Sequence, residues 1–275
     1  GTLRFWQNAV NSNYHSLQAT FTKRYGNGVA INANYTWSKV TDTRSTWHSG
    51  ATSSGRAQEG YSTDWFQVKQ DYGRAIFDAR QRFVFSGVWD MPFLRDADNA
   101  VVRSVFGGWQ VNAIFSAQTG QPFTPYIGLS FPRGGDFNAD GNNNDRPNTP
   151  AAGNYIQTSR HDYVNPDNGI FNFPGDTTEE RLEYFGTPEP GTLGDLGRNT
   201  YDGPGFANFD FSLFKDFMIP QISEDSRLQL RFEFFNLFNR ANFWQPEPRI
   251  ENGLFGRASQ TFDAREVQIG IKFLF

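Results

Sequence analysis

One period dominates this chain: through stretch after stretch, apolar and polar residues change places at every step. In "VAINANYTWSK", Val29, Ile31, Ala33, Tyr35 and Trp37 alternate with Asn32, Asn34, Thr36 and Ser38. Successive side chains of a strand point to opposite faces, so such a stretch reads as a strand with one greasy and one wet side. "SLQATFTK" repeats the pattern, with Leu17, Ala19 and Phe21 set against Ser16, Gln18, Thr20 and Thr22. In "REVQIGIKFLF", Val267, Ile269, Ile271, Phe273 and Phe275 are apolar, while Glu266, Gln268, Gly270 and Lys272 are polar or small. Further strands are predicted in "RFVFSGVWD" (82–90), "WQVNAIFSAQ" (109–118), "NFDFSLFKDF" (208–217) and "LQLRFEFFNLFN" (228–239), making seven. A tight "YGNG" turn joins the first pair, where Asn27-Gly28 suits a hairpin needing positive φ.

The wet side of these strands is too rich in Asn, Gln, Ser and Thr for a sandwich core and suits a water-filled lumen. Mean hydropathy is low at -0.60, and no stretch approaches the roughly 18 apolar residues that would suggest a membrane helix. Yet aromatics make up 17% of the chain, with 29 Phe. A membrane β-barrel reconciles the two, because only alternate strand residues face lipid. The net charge of -4 offers no basic stripe, so a nucleic-acid partner is not expected. Without cysteine, a disulfide framework, a thiol nucleophile and a thiolate metal site are excluded. The opening "GTLRFWQNAV" lacks a basic start followed by an apolar core. Either a leader has been removed or the chain is the later part of something longer.

The connections alternate in length. After the "YGNG" turn comes a long segment (40–81), then a middling one around "MPFLRDADNAVV", then a very long one (121–207). A short "MIPQISEDS" and a medium segment (240–264) follow. Such alternation matches outer-membrane barrels, with short periplasmic turns and long extracellular loops. Tyr35 and Trp37 are expected at the outer end of the second strand, and Trp89 and Trp109 at the inner ends of the third and fourth. Aromatic rings with a polar tip favour the headgroup level.

The stretches "NYTWSK", "DARQRFVFSGVWDMPF", "GGWQVNAIFSAQTGQPFT", "GNNNDRPN", "GRNTYDGPGFANFDFSLFKDF", "LRFEFFNLFNRANF" and "REVQIGIKFLF" cover almost the whole chain in order. As a set they resemble the C-terminal barrel of TonB-dependent outer-membrane receptors, especially the Oar-like branch. The resemblance implies a barrel of about 22 strands, of which these are the last seven. Residues 1–275 would then be its C-terminal portion, with the plug domain, the TonB-contacting box and the early strands absent. It also implies the bacterial outer membrane as location. The implied partners are outer-membrane lipid, the remaining strands and plug of the same or a companion chain, the TonB system indirectly, and the insertion machinery. The terminal residues Val267, Ile269, Ile271, Phe273 and Phe275 resemble the signal read by that machinery. Physically, an open edge in lipid leaves backbone groups unsatisfied at several kcal/mol each, so the last strand is expected to be a closing seam.

Chemistry-bearing constellations are few. In "DFNADGNNNDRPN", Asp136, Asn138 and Asp140 at alternate positions, followed by Gly141 and Asn142, mimic the opening of a calcium loop. Pro147 stands where an EF-hand has its bidentate Glu, with Asp145 as a substitute carboxylate. The same residues also suit an Asn/Asp-rich surface turn. Asp210, Arg231, Glu233, Glu266 and Lys272 fall on the polar phase of neighbouring strands, lining a lumen or forming a charge ladder. His15, His48 and His161 show no zinc spacing. "TTEERLEY" (177–184) reads as a capped helix, and "FPRGG" lacks the context of a phosphate loop. No enzyme is expected, and no cofactor is required beyond possible Ca2+.

The expected fold is therefore all-β: an antiparallel transmembrane β-barrel segment of about seven strands, with long extracellular loops. The expected function is a part of a TonB-dependent transporter that binds substrate at those loops. The alternative is a secreted calcium-binding β-sandwich for adhesion or recognition.

Overall fold

A computed structural model describes residues 10–26, 28–45, 64, 67–128, 135–139, 145–150, 162–164, 170–171, 177–222 and 226–275. Its strands are β1 (Ser12–Tyr25), β2 (Val29–Asp42), β3 (Gly73–Arg74), β4 (Gln81–Asp90) and β5 (Trp109–Gln118). They continue with β6 (Pro122–Phe123), β7 (Tyr201–Asp202), β8 (Phe206–Met218), β9 (Arg227–Phe235) and β10 (Glu266–Leu274). Two helices, α1 (Ala100–Phe106) and α2 (Thr178–Phe185), sit in the connections. The main sheet runs β1-β2-β4-β5-β8-β9-β10 in chain order, with β3 added beside β2 and β6 paired with β7 apart from it. Every neighbouring pair of the main sheet is antiparallel. All seven strands expected from the alternation are present.

Register carries the alternation from strand to strand. Ala33 lies opposite Phe21 on one side and Phe85 on the other. Phe85 faces Phe115, which faces Phe209. Beyond them Leu213 faces Phe232, which faces Ile269. Directly paired residues share a face, so one continuous apolar face extends from β1 to β10. It is most open on the outer strands, where Leu17 is 61% and Ile269 69% exposed, while Phe85, Phe115 and Phe209 between them are half-buried. A sandwich would have buried these side chains under a second sheet, and among the described residues no sheet lies over them. The secreted-sandwich alternative thus receives no support.

The strand ends differ from expectation in places. β9 stops at Phe235, short of Asn239, because Asn236 and Asn239 both turn to φ of 50°. The Asn236 side chain holds that turn, accepting from the Arg240 N–H at 3.0 Å and donating to the Arg240 and Asp263 carbonyls. β2 runs on past Trp37 to Asp42, pairing Thr41 with Arg74 of β3. Tyr35 and Trp37 therefore mark the rim of the apolar band and not the end of the strand. The first hairpin turns at Gly28, whose φ of 75° and nearness to Asp90, 2.8 Å from a would-be Cβ to the Asp90 Cβ, exclude a larger residue. Asn27 lies outside the described residues.

The connections 26–28, 91–108 and 219–226 leave one end of the sheet, and 43–80, 119–205 and 236–265 leave the other. The buried apolar core does not lie on the sheet. It lies among the long connections, where Phe123, Ile127, Phe171, Phe185, Leu196, Tyr201, Ile250 and Phe255 cluster. A sheet face turned to lipid needs no protein partner, whereas loops in water fold by burying their own apolar side chains.

Candidate binding face at the loop end

The long connections pack into one cap. At its centre Phe171 stacks on Phe255 with centroids 4.9 Å apart and meets Tyr201 and Phe185 edge-on at 5.0 and 5.4 Å. The stretch 177–184 folds as the capped helix expected of it. Thr177 accepts from the Glu180 N–H, and the Glu180 carboxylate accepts from the Thr177 N–H at 3.0 Å. This fixes α2 so that Arg181, 2% exposed, donates to the Ile250 and Asn252 carbonyls of the third long connection. The second connection is tied to the first by Arg146, which donates to Asp71 at 2.8 Å. Arg198 pairs with Asp42 at the end of β2, and Arg74 reaches both Asp78 and Asp202, at 2.9 and 2.7 Å. Asn199 closes the join, donating to the Arg74 carbonyl at 2.6 Å and accepting from the Thr124 hydroxyl at 3.0 Å. Backbone bonds between Tyr126 and the segment 248–250 fasten the second connection to the third.

Burial raises the tyrosines of this cap. Tyr126 is pushed up to about 12, with Glu247 and Glu251 adding to the effect against Arg249. Tyr201 is pushed up to about 12 by burial, and Tyr184 is raised further by burial and by Tyr201.

Of the residues read as a calcium loop, Asp140 and Asn142 lie outside the described residues, as does Gly141. Asp145 is fully buried, and its Oδ2 accepts from the N–H groups of Phe137 and Asn138 at 2.6 and 3.1 Å. This carboxylate closes the turn that carries Asp136 and Asn138. No group of three or more His, Asp or Glu side chains suited to a metal occurs among the described residues.

Below the cap, register puts Asp210, Arg231, Glu233, Glu266 and Lys272 on the one polar face. They do not form a ladder across strands. Arg231 donates to Glu233 of its own strand at 3.2 Å and lies 4.5 Å over the Phe214 ring. Asp210 accepts from the Asn208 side chain and from the Asn236 N–H, anchoring the β9 turn. Glu266 stands opposite Phe235, and Lys272 opposite Gln229. Cross-strand polar contacts on this face include those from Thr20 to Asn34 and from Asn32 to Thr22, each 3.0 Å, from Gln110 to Asp90 at 2.7 Å and from Gln229 to Asp216 at 2.9 Å. Their positions were legible as polar phase, but the pairings needed the register. Val267, Ile269, Ile271 and Phe273 share the apolar face of β10, whose outer edge pairs with no strand among the described residues.

An antiparallel sheet with a continuous apolar face, a polar face behind it and every long connection at one end defines a wall built for a bilayer. The chain belongs to the outer membrane beta barrel domain family, which matches it over residues 1–268. No curated protein and no solved structure matches it. Its place is the bacterial outer membrane, with the apolar face in contact with lipid.

Proposed function

We propose that this wall is part of a TonB-dependent outer-membrane transporter and that the cap is its extracellular, substrate-receiving face. The observation that carries the reading is the cap itself. Simple closure of a barrel needs only short connections, whereas here the long ones are cross-tied by buried ion pairs such as Arg146–Asp71 into one packed body above a polar wall. Long connections of outer-membrane barrels lie outside the cell, where such a body meets solutes first. In this reading the free edges of β1 and β10 pair with further strands of the same or a companion chain, since unsatisfied backbone is costly in lipid. A plug then fills the space beside the polar face, and Val267, Ile269, Ile271, Phe273 and Phe275 guide insertion. Ca2+, if taken by the stretch read as a calcium loop, would stiffen the cap and would not act as a catalytic ion.

The test uses the intact outer-membrane protein. Purified in detergent, it is expected to retain the periplasmic domain of TonB on an affinity column and to stay closed to small ions in planar bilayers. A protein that fails to retain TonB and conducts ions freely is a passive pore, which overturns the reading.

A further inference from the structure

The connection between β4 and β5 does not hang below the sheet. It folds back against the lipid-facing side of the rim. Phe93 packs edge-on against Trp89, centroids 5.7 Å apart. The Trp109 indole N–H donates to the Val105 carbonyl at 3.1 Å. The Lys215 ammonium donates to the Gly107 carbonyl at the end of α1, and Lys215 is only 4% exposed. Trp89, Trp109 and Lys215 all lie on the apolar phase: Trp89 faces Val111, and Trp109 faces Lys215. All three contacts therefore hold the connection on the side of the sheet that meets lipid.

The segment is built to stay there. Asn99 caps α1, accepting from the N–H groups of Val101 and Val102 at 2.9 and 3.2 Å. Gly107 lies so close to the Leu94 and Arg103 carbonyl oxygens that no side chain fits. Held this way, it shows apolar groups to its surroundings: Val101 is 69% exposed and Phe93 and Phe106 are each 60% exposed. Val101 and Val105 stand four residues apart on one face of the helix, with Arg103 on the opposite face. Arg95 and Arg103 are balanced by Asp96 and Asp98, so the segment has no cationic bias toward acidic headgroups.

We infer that residues 91–108 form an in-plane anchor, laying Phe93, Val101, Val105 and Phe106 into the headgroup–acyl boundary of the bilayer beside the sheet's short-turn rim. The apolar face of a short helix parallel to the membrane is stabilised there by area removed from water. It continues an interface already established, the lipid-facing belt, whose rim tryptophans sit at headgroup level. The inference rests on membership of the outer-membrane family and not on the transport reading.

The chain has no cysteine, so single-cysteine variants can report each position. Val101→Cys, Val105→Cys and Arg103→Cys, each in the intact protein in phospholipid vesicles, are labelled with an environment-sensitive fluorophore. Spin-labelled lipids carrying the quencher near the headgroup are then added, and iodide serves as the aqueous quencher. Lipid quenching at Val101 and Val105 is expected to exceed that at Arg103 at least two-fold, with the reverse order for iodide. Equal lipid quenching at all three positions overturns the anchor. So does protection of Val101 from iodide without lipid quenching, because another protein surface then covers the face.

Discussion

Arg146 and Asp71 are 75 residues apart in the chain, yet the guanidinium Nη1 donates to the carboxylate Oδ1 at 2.8 Å with both side chains buried. This pair joins two connections that the alternation of strands could only show as loops. Removing one partner strands a charge in a site with little water, which costs about 3–5 kcal/mol. Asp71→Ala is therefore expected to open the cap, seen as faster proteolysis of the long connections with the strands still protected. Replacing both residues with apolar side chains of similar volume should restore most of the protection.

The two faces of β10 provide a separate test. Ile269 sits on the apolar face opposite Phe232, and Gln268 on the polar face opposite Glu233. Ile269→Arg is expected to cost about 2–4 kcal/mol if the residue lies near the bilayer midplane. Gln268→Arg should cost much less, since its new guanidinium can pair with Glu233. Denaturant unfolding from phospholipid vesicles measures both, and equal penalties would remove the basis for the assignment of faces.

The buried tyrosines make the cap sensitive to alkali. An unfolded tyrosine ionises near 10, whereas Tyr126 and Tyr201 hold their protons to about 12 because burial disfavours the phenolate. Their folded pKa values are raised, so the stability they contribute is fully present below about pH 10 and is lost as pH climbs through about 12. Loop proteolysis should rise steeply between pH 10 and 12 while strand dichroism persists. Tyr126→Phe should reduce that rise.

Calcium and Asp145 can be separated. Because Asp145 already accepts from two backbone N–H groups, Asp145→Ala is expected to loosen the turn in the presence of a calcium chelator as well as with the ion. If Ca2+ also binds, Asp140→Ala should abolish only the additional protease protection that the ion provides. Identical cleavage of the native protein with and without calcium would leave a turn held by Asp145 alone.

Period two made the strands legible. A residue two steps on returns to the same face, so Val29, Ile31 and Ala33, or Val267, Ile269 and Ile271, declare a lipid-facing side without any knowledge of their neighbours. The alternation of short and long connections then told the two ends of the sheet apart, and the capping box at Thr177 and Glu180 announced α2 by local hydrogen bonding alone. The remaining features depend on contacts between distant segments. Phe171, Phe185 and Phe255 follow no common period, so their stacking exists only once three connections meet. Arg146 and Arg181 look like solvated surface charges until burial supplies Asp71 and the 250 and 252 carbonyls. The folding of α1 onto the lipid side of the rim, held through Trp109 and Lys215, likewise leaves no periodic trace. Local alternation determined which residues face lipid and which face water; only the tertiary structure decided which loops touch, because those contacts join residues that the chain keeps far apart.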